Sequence, residues 1–229
     1  MENQFDLLNN TKGFGFDNFD PTLVQEESVI LLTLVIDISP SVSSYATEMN
    51  KAFEGFLEEM QKSHVASKLM VKVIEFNENV KHVTGFTPIT NMVPSNFHFR
   101  PTGNFTALFE AAKEGLTATV NYQELLEKTG INVKCLVFVM TDGEENTFTT
   151  KSSEIKEMLD TIMKSEKNIF NFETILLGVG NENYYEPAQK EMGFKHLATF
   201  NNSANEIRKM IGFISQSVSR SSANKPVNF

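Results

Sequence analysis

The chain has 229 residues, 41% of them hydrophobic, enough for one large α/β domain with a proper core. A net charge of −9 sets up a field that repels nucleic acid and anionic membrane surfaces, so neither is expected as a partner. A single cysteine, Cys135, excludes an internal disulfide framework, and its place in an apolar run reads as a buried small hydrophobe.

Residues 1–28 carry six acidic side chains against one lysine and are punctuated by glycine and phenylalanine, with no periodicity that could bury a face. They read as an arm outside the core, with Phe14, Phe16 and Phe19 spaced like the anchors of a short interaction segment. The start, Met1-Glu2-Asn3-Gln4-Phe5-Asp6, lacks the basic opening of a secretory signal, and no apolar run nears the ~20 residues of a membrane span. A cytoplasmic location is therefore expected.

From Val29 to Asp37 the chain is continuously apolar apart from Thr33, which suits a strand covered on both faces. Similar runs follow at 69–76, 133–140 and 172–179, with a shorter one at 196–200 and a more polar one at 80–86. Between them lie helical stripes: Tyr45, Met49, Phe53, Phe56, Leu57 and Met60; Leu108, Ala111, Ala112, Leu116 and Val120; Ile155, Met158, Leu159, Ile162 and Met163; Ile207, Met210, Ile211, Ile214 and Val218. Alternation of strands and helices predicts right-handed βαβ units in a doubly wound, mostly parallel six-stranded sheet with helices on both faces. Only Asn77-Glu78-Asn79 separates 69–76 from 80–86, too little for a crossover, so 80–86 is expected as one antiparallel edge strand. The expected spatial order is 80–86, 69–76, 29–37, 133–140, 172–179, 196–200. The domain is expected over residues 29–220, with a flexible tail over 221–229.

In an open parallel sheet the ligand crevice lies beyond the carboxyl ends of the strands. Two of those ends are rich in oxygen donors: Asp37-Ile38-Ser39-Pro40-Ser41 after the first strand, and Thr141-Asp142-Gly143-Glu144-Glu145 after the run at 133–140. Gly103-Asn104-Phe105-Thr106 opens the second long helix and adds a hydroxyl. The set contains only oxygen, which suits a hard cation such as Mg²⁺ and excludes a zinc site of the Cys and His kind. His64, His82, His98 and His196 are scattered without ligand spacing.

Asp37, Ser39 and Ser41, a threonine before a long helix and an aspartate followed by glycine resemble the metal-ion-dependent adhesion site (MIDAS) of the von Willebrand factor A family. The resemblance runs from about Val29 to about Arg220. It implies that Ser39, Ser41 and Thr106 touch the cation through hydroxyls, while Asp37 and Asp142 hold it largely through waters. It further implies a non-enzymatic, Mg²⁺-dependent module, with Mn²⁺ or Ca²⁺ as substitutes, whose cation captures a carboxylate on a protein partner. The resemblance is to stand-alone cytoplasmic members from bacteria or phage, and it implies a role in assemblies such as pairing with an AAA-type ATPase or with tellurium-resistance and phage-defence modules. Neither the partner nor the oligomeric state is named by this sequence.

Several plainer readings compete. Ser39 and Thr106 are also good helix caps, and Asp142-Gly143 a good tight turn. A haloacid-dehalogenase-like Mg²⁺-dependent phosphatase also starts from an aspartate after the first strand, but the second aspartate of that motif, its general acid, is replaced here by Ser39. No Gly-x-Ser-x-Gly is present, and the cluster at 142–145 lacks the alternating acids of an EF-hand. Gly178-Val179-Gly180 reads as packing or a turn rather than a dinucleotide fingerprint.

Overall fold

The computed structural model describes residues 27–180 and 183–227, so the expected arm lies outside the described residues except for its last two positions. In chain order the elements are β1 (Ser28–Asp37), α1 (Ala46–Lys62), β2 (Leu69–Phe76), β3 (Val80–His82), β4 (Thr87–Pro88), α2 (Leu108–Lys128) and β5 (Asn132–Thr141). There follow α3 (Ser152–Ile162), α4 (Glu166–Asn171), β6 (Phe172–Val179), α5 (Tyr185–Met192), β7 (His196–Phe200) and α6 (Ala204–Ser222). The strands form one sheet in the order β3-β2-β1-β5-β6-β7, with β4 also beside β2. Every pairing from β2 through β7 along this order is parallel, and only β3 and β4 run antiparallel.

β1 is central because its alternating residues feed two separate cores. Ile30, Leu32, Leu34 and Ile36 face α1 and α6, whereas Val29, Leu31 and Val35 face the layer built by α2, α3 and α5. A strand lined with branched apolar residues on both sides can lie only where helices cover both faces. Thr33, the polar interruption, is fully buried and shares a 2.7 Å hydrogen bond with Thr119 of α2, which satisfies both hydroxyls. The four predicted stripes bury as expected, with Val120, Met158 and Met163 at their half-exposed margins.

The edge differs from the single strand expected over 80–86. Two short strands flank an irregular stretch in which the Val83 and Thr84 amides both donate to the Val73 carbonyl, at 2.9 and 3.2 Å. The Thr84 hydroxyl then accepts from the Val73 amide, doing what a strand carbonyl would otherwise do. Two residues opposite one is a bulge, and with Pro88 beyond it the edge is blunted against pairing with another chain. Two short helices, α4 and α5, were not readable from periodicity, because six or eight residues hold too few turns to show a stripe.

α6 runs past the expected boundary to Ser222, and residues beyond it fold back toward the amino end of the sheet. Lys134 Nζ donates to the Ser221 carbonyl at 2.6 Å and to Asn224 Oδ1, and Arg220 Nε donates to the Pro226 carbonyl at 2.8 Å. No helix among the described residues is long and apolar enough to cross a membrane. Cys135 is fully buried in β5, and burial pushes its thiol well above the usual range.

Candidate functional site

The carboxyl ends of β1 and β5 lie side by side, with Ile36 in register with Met140, so their following loops leave the sheet as neighbours. This parallel pairing brings Asp37 and Asp142 to one edge although 105 positions separate them. Asp37 is 1% exposed and both of its carboxylate oxygens are engaged. The Ser39 amide donates to Oδ1 at 2.7 Å, and the Thr141 hydroxyl donates to Oδ2 at 2.6 Å. Desolvation by burial outweighs these bonds and pushes the carboxyl up to about 6.

In front of Asp37 runs a chain of hydroxyls. Ser39 Oγ lies 3.0 Å from Ser41 Oγ, and Ser41 Oγ donates to Asp142 Oδ1 at 2.6 Å. Ser39 is buried, Ser41 is exposed and Asp142 is between the two, so the group opens from the core toward solvent. The Tyr45 hydroxyl also bonds Asp142, whose carboxyl burial raises. Tyr45 itself is buried and its phenol is pushed upward, first by desolvation and then by the two nearby aspartates.

The local conformations decide against simple capping. Pro40 opens the short 3-10 turn 40–44 that follows β1, and Ser39 occupies its cap position with no side-chain cap hydrogen bond. Ala107, not Thr106, stands at the cap of α2. The hydroxyls of Ser39 and Thr106 are therefore not spent on helix ends.

Thr106 is delivered by a third loop, and what holds that loop was not read from the sequence. The Thr106 amide donates to Asn146 Oδ1 at 2.6 Å and the Asn146 amide returns a bond to the Thr106 carbonyl at 3.1 Å. This clasp sets Thr106 against the loop after β5: its Oγ1 lies 3.5 Å from where a Cβ on Gly143 would stand. On the other side, the Ala107 amide donates to the Asn77 carbonyl at 2.7 Å and Asn77 Nδ2 to the Thr102 carbonyl at 3.1 Å. Glu78 accepts from the Asn104 amide at 2.9 Å, which with its other backbone bonds holds its carboxyl below the usual range. Gly103, at φ +94, fits beneath this carboxylate, where a Cβ would stand 2.1 Å from Glu78 Oε2. The turn Asn77-Glu78-Asn79 thus does more than reverse the chain: it positions the Thr106 loop.

All five predicted residues accordingly meet at one edge, and Asp37, Ser39, Ser41, Thr106 and Asp142 are the oxygen donors that could hold a metal here. Thr141, Tyr45, Asn77, Glu78 and Asn146 support them. Among these only Thr141 carried a signal in sequence, its adjacency to Asp142. Among the described residues no three His, Cys, Asp or Glu side chains converge. His82 and His196 pair instead with Glu114 and Glu173, at 2.6 and 2.8 Å, near opposite edges of the sheet. Gly178 lies under the Tyr185 ring, 2.3 Å from where its Cβ would stand, and Gly180 turns at φ +101, which accounts for both glycines of that segment.

Known proteins agree with this architecture. The von Willebrand factor type A domain profile matches residues 32–211. Proximal thread matrix protein 1 of the mussel byssus, in a structure with a zinc-occupied MIDAS motif, superposes with a TM-score of 0.53 at 17% identity, over 84% of this chain and 48% of that one. The pilus adhesin SpaC of Lactobacillus rhamnosus GG gives 0.57 at 14% identity over 83% and 30%. A von Willebrand factor type A protein of Catenulispora acidiphila gives 0.56 at 12% over 85% and 43%. The chain thus spans less than half the length of these proteins, and at such identities the likeness is one of fold. No curated protein sequence matches significantly. With the profile covering most of its length, the chain belongs to the von Willebrand factor type A domain family.

Proposed function

We propose that this protein is a Mg²⁺-dependent protein-binding module in which Asp37, Ser39, Ser41, Thr106 and Asp142 hold the cation and a partner supplies a carboxylate. The observation that carries this reading is the hydrogen-bonded chain Ser39–Ser41–Asp142 backed by buried Asp37, with the Ser39 hydroxyl spent on no helix cap. The donor set fits the ion. It offers hydroxyl and carboxylate oxygens with no nitrogen or sulfur, which suits a hard cation. Mn²⁺ and Ca²⁺ are expected substitutes.

Bound there, the cation supplies an electrophilic point whose charge neutral hydroxyls only partly offset, and so an attraction for an external carboxylate. This chain's own residues set that balance. Thr141 and the Ser39 amide orient Asp37, while Tyr45 and Ser41 orient Asp142.

A phosphatase reading draws no support from the same geometry. A nucleophilic aspartate needs a free oxygen facing the substrate, yet both oxygens of Asp37 accept hydrogen bonds and the side chain is buried. We also retain a cytoplasmic assembly as the setting, supported by the lone, fully buried cysteine. Thermal melts with Mg²⁺ against EDTA test the core of the proposal. The melting temperature should rise with free Mg²⁺, less so in Thr106→Ala, and phosphoesters should stay intact. A melt indifferent to Mg²⁺, Mn²⁺ and Ca²⁺ would sink it.

A further inference from the structure

The two loops that deliver Thr106 and Asp142 continue directly into an apolar cavity of about 560 Å³. Phe109 lies three positions after Thr106, and Glu145 and Phe148 lie three and six after Asp142; with Tyr184, Pro187 and Ala188 they line the space. The loop over it is built firmly. Glu145 Oε1 accepts from the Thr147 amide, the Thr147 hydroxyl and the Phe148 amide at 2.8, 2.6 and 3.0 Å, and Oε2 accepts from the Phe109 amide at 2.9 Å. The Glu145 amide in turn donates to the Tyr184 hydroxyl at 2.8 Å. This frame holds Phe148 at φ +58 with 83% of its surface exposed. A large aromatic residue in a left-handed conformation, pinned open beside an apolar hollow, is an arrangement that serves binding better than folding. Phe105, 54% exposed, stands next to Thr106 on the other loop.

A ligand for this surface must offer a carboxylate and a large apolar side chain close together. The chain carries such a segment in Phe14-Gly15-Phe16-Asp17-Asn18-Phe19-Asp20. Asp17 and Phe19, two residues apart, share one face of an extended peptide. Reach decides whose segment it is. The arm joins the fold at Ser28, at the end of β1 opposite Asp37. A path to the site must cover a strand of ~30 Å and pass out and back around a helical layer of ~10 Å, at least ~50 Å in all. The eleven residues from Asp17 to Ser28 span at most ~40 Å when fully extended.

We infer that the carboxylate and apolar pair captured here is Asp17 and Phe19 of a second copy of this chain, Asp17 at the metal site and Phe19 in the cavity beneath Phe148. The inference rests on the metal-dependent reading proposed above. Because the arm root and the site lie at opposite ends of β1, two copies that lie antiparallel can each place an arm in the other's site.

Sedimentation velocity on the full chain over a protein concentration series, in Mg²⁺ and in EDTA, tests it. In Mg²⁺ the sedimentation coefficient should climb with concentration past that of the monomer, and in EDTA it should stay monomeric. The double variant Asp17→Asn/Asp20→Asn, Phe19→Ala and Phe148→Ala should each weaken association by at least ~10-fold, and a peptide of residues 13–21 should reverse it. The rise in melting temperature with Mg²⁺ should persist in all of these variants. Monomers at every concentration with that rise intact would overturn the inference and leave the metal site standing; so would association that survives the Asp17/Asp20 change. An assembly that a peptide of residues 13–21 fails to dissociate would equally overturn capture of this segment. Loss of the Mg²⁺ response in the unaltered chain would instead refute the metal site.

Discussion

The loop after β1 and the loop after β5 meet at the same site but are built by opposite rules. The first is short and inward: Asp37 and Ser39 are buried, the backbone passes at once into a proline-led turn, and each carboxylate oxygen of Asp37 accepts one bond, from its own loop amide and from Thr141. The second is long and outward, its residues half-buried or exposed from Asp142 to Thr150, and its shape comes from the Glu145 carboxylate rather than from packing. A buried oxygen set can be rigid because the core around it cannot shift, whereas an exposed loop must carry its own hydrogen-bonded frame. The first loop is therefore suited to fixing an ion and the second to shaping what approaches it.

Substitution at Asp37 should separate the two most sharply. Asp37→Ala removes the carboxylate behind Ser39 and Ser41, and titration calorimetry should find Mg²⁺ affinity lowered by ~100-fold or more, with carboxylate-dependent partner capture lost in parallel. Retained affinity would mean that the β5 loop alone holds the ion.

Next in size is the effect of the Asp37 charge on the metal-free fold. Burial raises this carboxyl from 3.8 to about 6, so the folded state binds its proton more tightly than the unfolded chain does. Its stabilising contribution is complete below pH ~4 and disappears as pH rises through about 6, for a total on the order of 3 kcal/mol. In EDTA, urea melts should therefore show a loss of stability between pH 4 and 6 that Asp37→Asn abolishes, and this variant should exceed the parent at pH 7 by about 1–3 kcal/mol. Equal stabilities at pH 7 would show that the Ser39 and Thr141 bonds fully offset burial.

Glu145→Ala tests the second loop. Four hydrogen bonds to its carboxylate disappear, and with the side chain only partly buried the fold should lose about 1–3 kcal/mol. The Mg²⁺ affinity should stay within a few-fold of the parent; a collapse of metal affinity would join the two loops into one unit. The smallest effect is expected for Phe148→Gly. Glycine adopts φ +58 freely, so the melting temperature should hold or rise slightly, by up to about 1 kcal/mol in stability, while the exposed aromatic surface is lost.

Much of this was legible in the sequence. Predominantly apolar runs at 29–37, 69–76, 133–140 and 172–179 announce strands buried on both faces, and the three-residue link at 77–79 forces the reversal at the edge. The same logic expects Asp37, Ser39, Ser41 and Asp142 at one edge, because residues that directly follow buried strands of a parallel sheet emerge together; Thr106 joined them as the hydroxyl before a long helix. Periodicity is silent, however, where the chain has no regular repeat, and the bulge at Val83 and Thr84 and the helices α4 and α5 fall in that class.

The sequence by itself determined the layered architecture, because the burial pattern of each strand and helix is a local property. Only the tertiary structure decided that the Ser39 hydroxyl makes no cap bond, that Thr141 closes the far oxygen of Asp37, and that Asn77, Glu78 and Asn146 deliver Thr106. These are contacts across roughly 25 to 105 positions of chain, made between loops whose conformations hold only when both partners are present, and no local pattern encodes such a pairing.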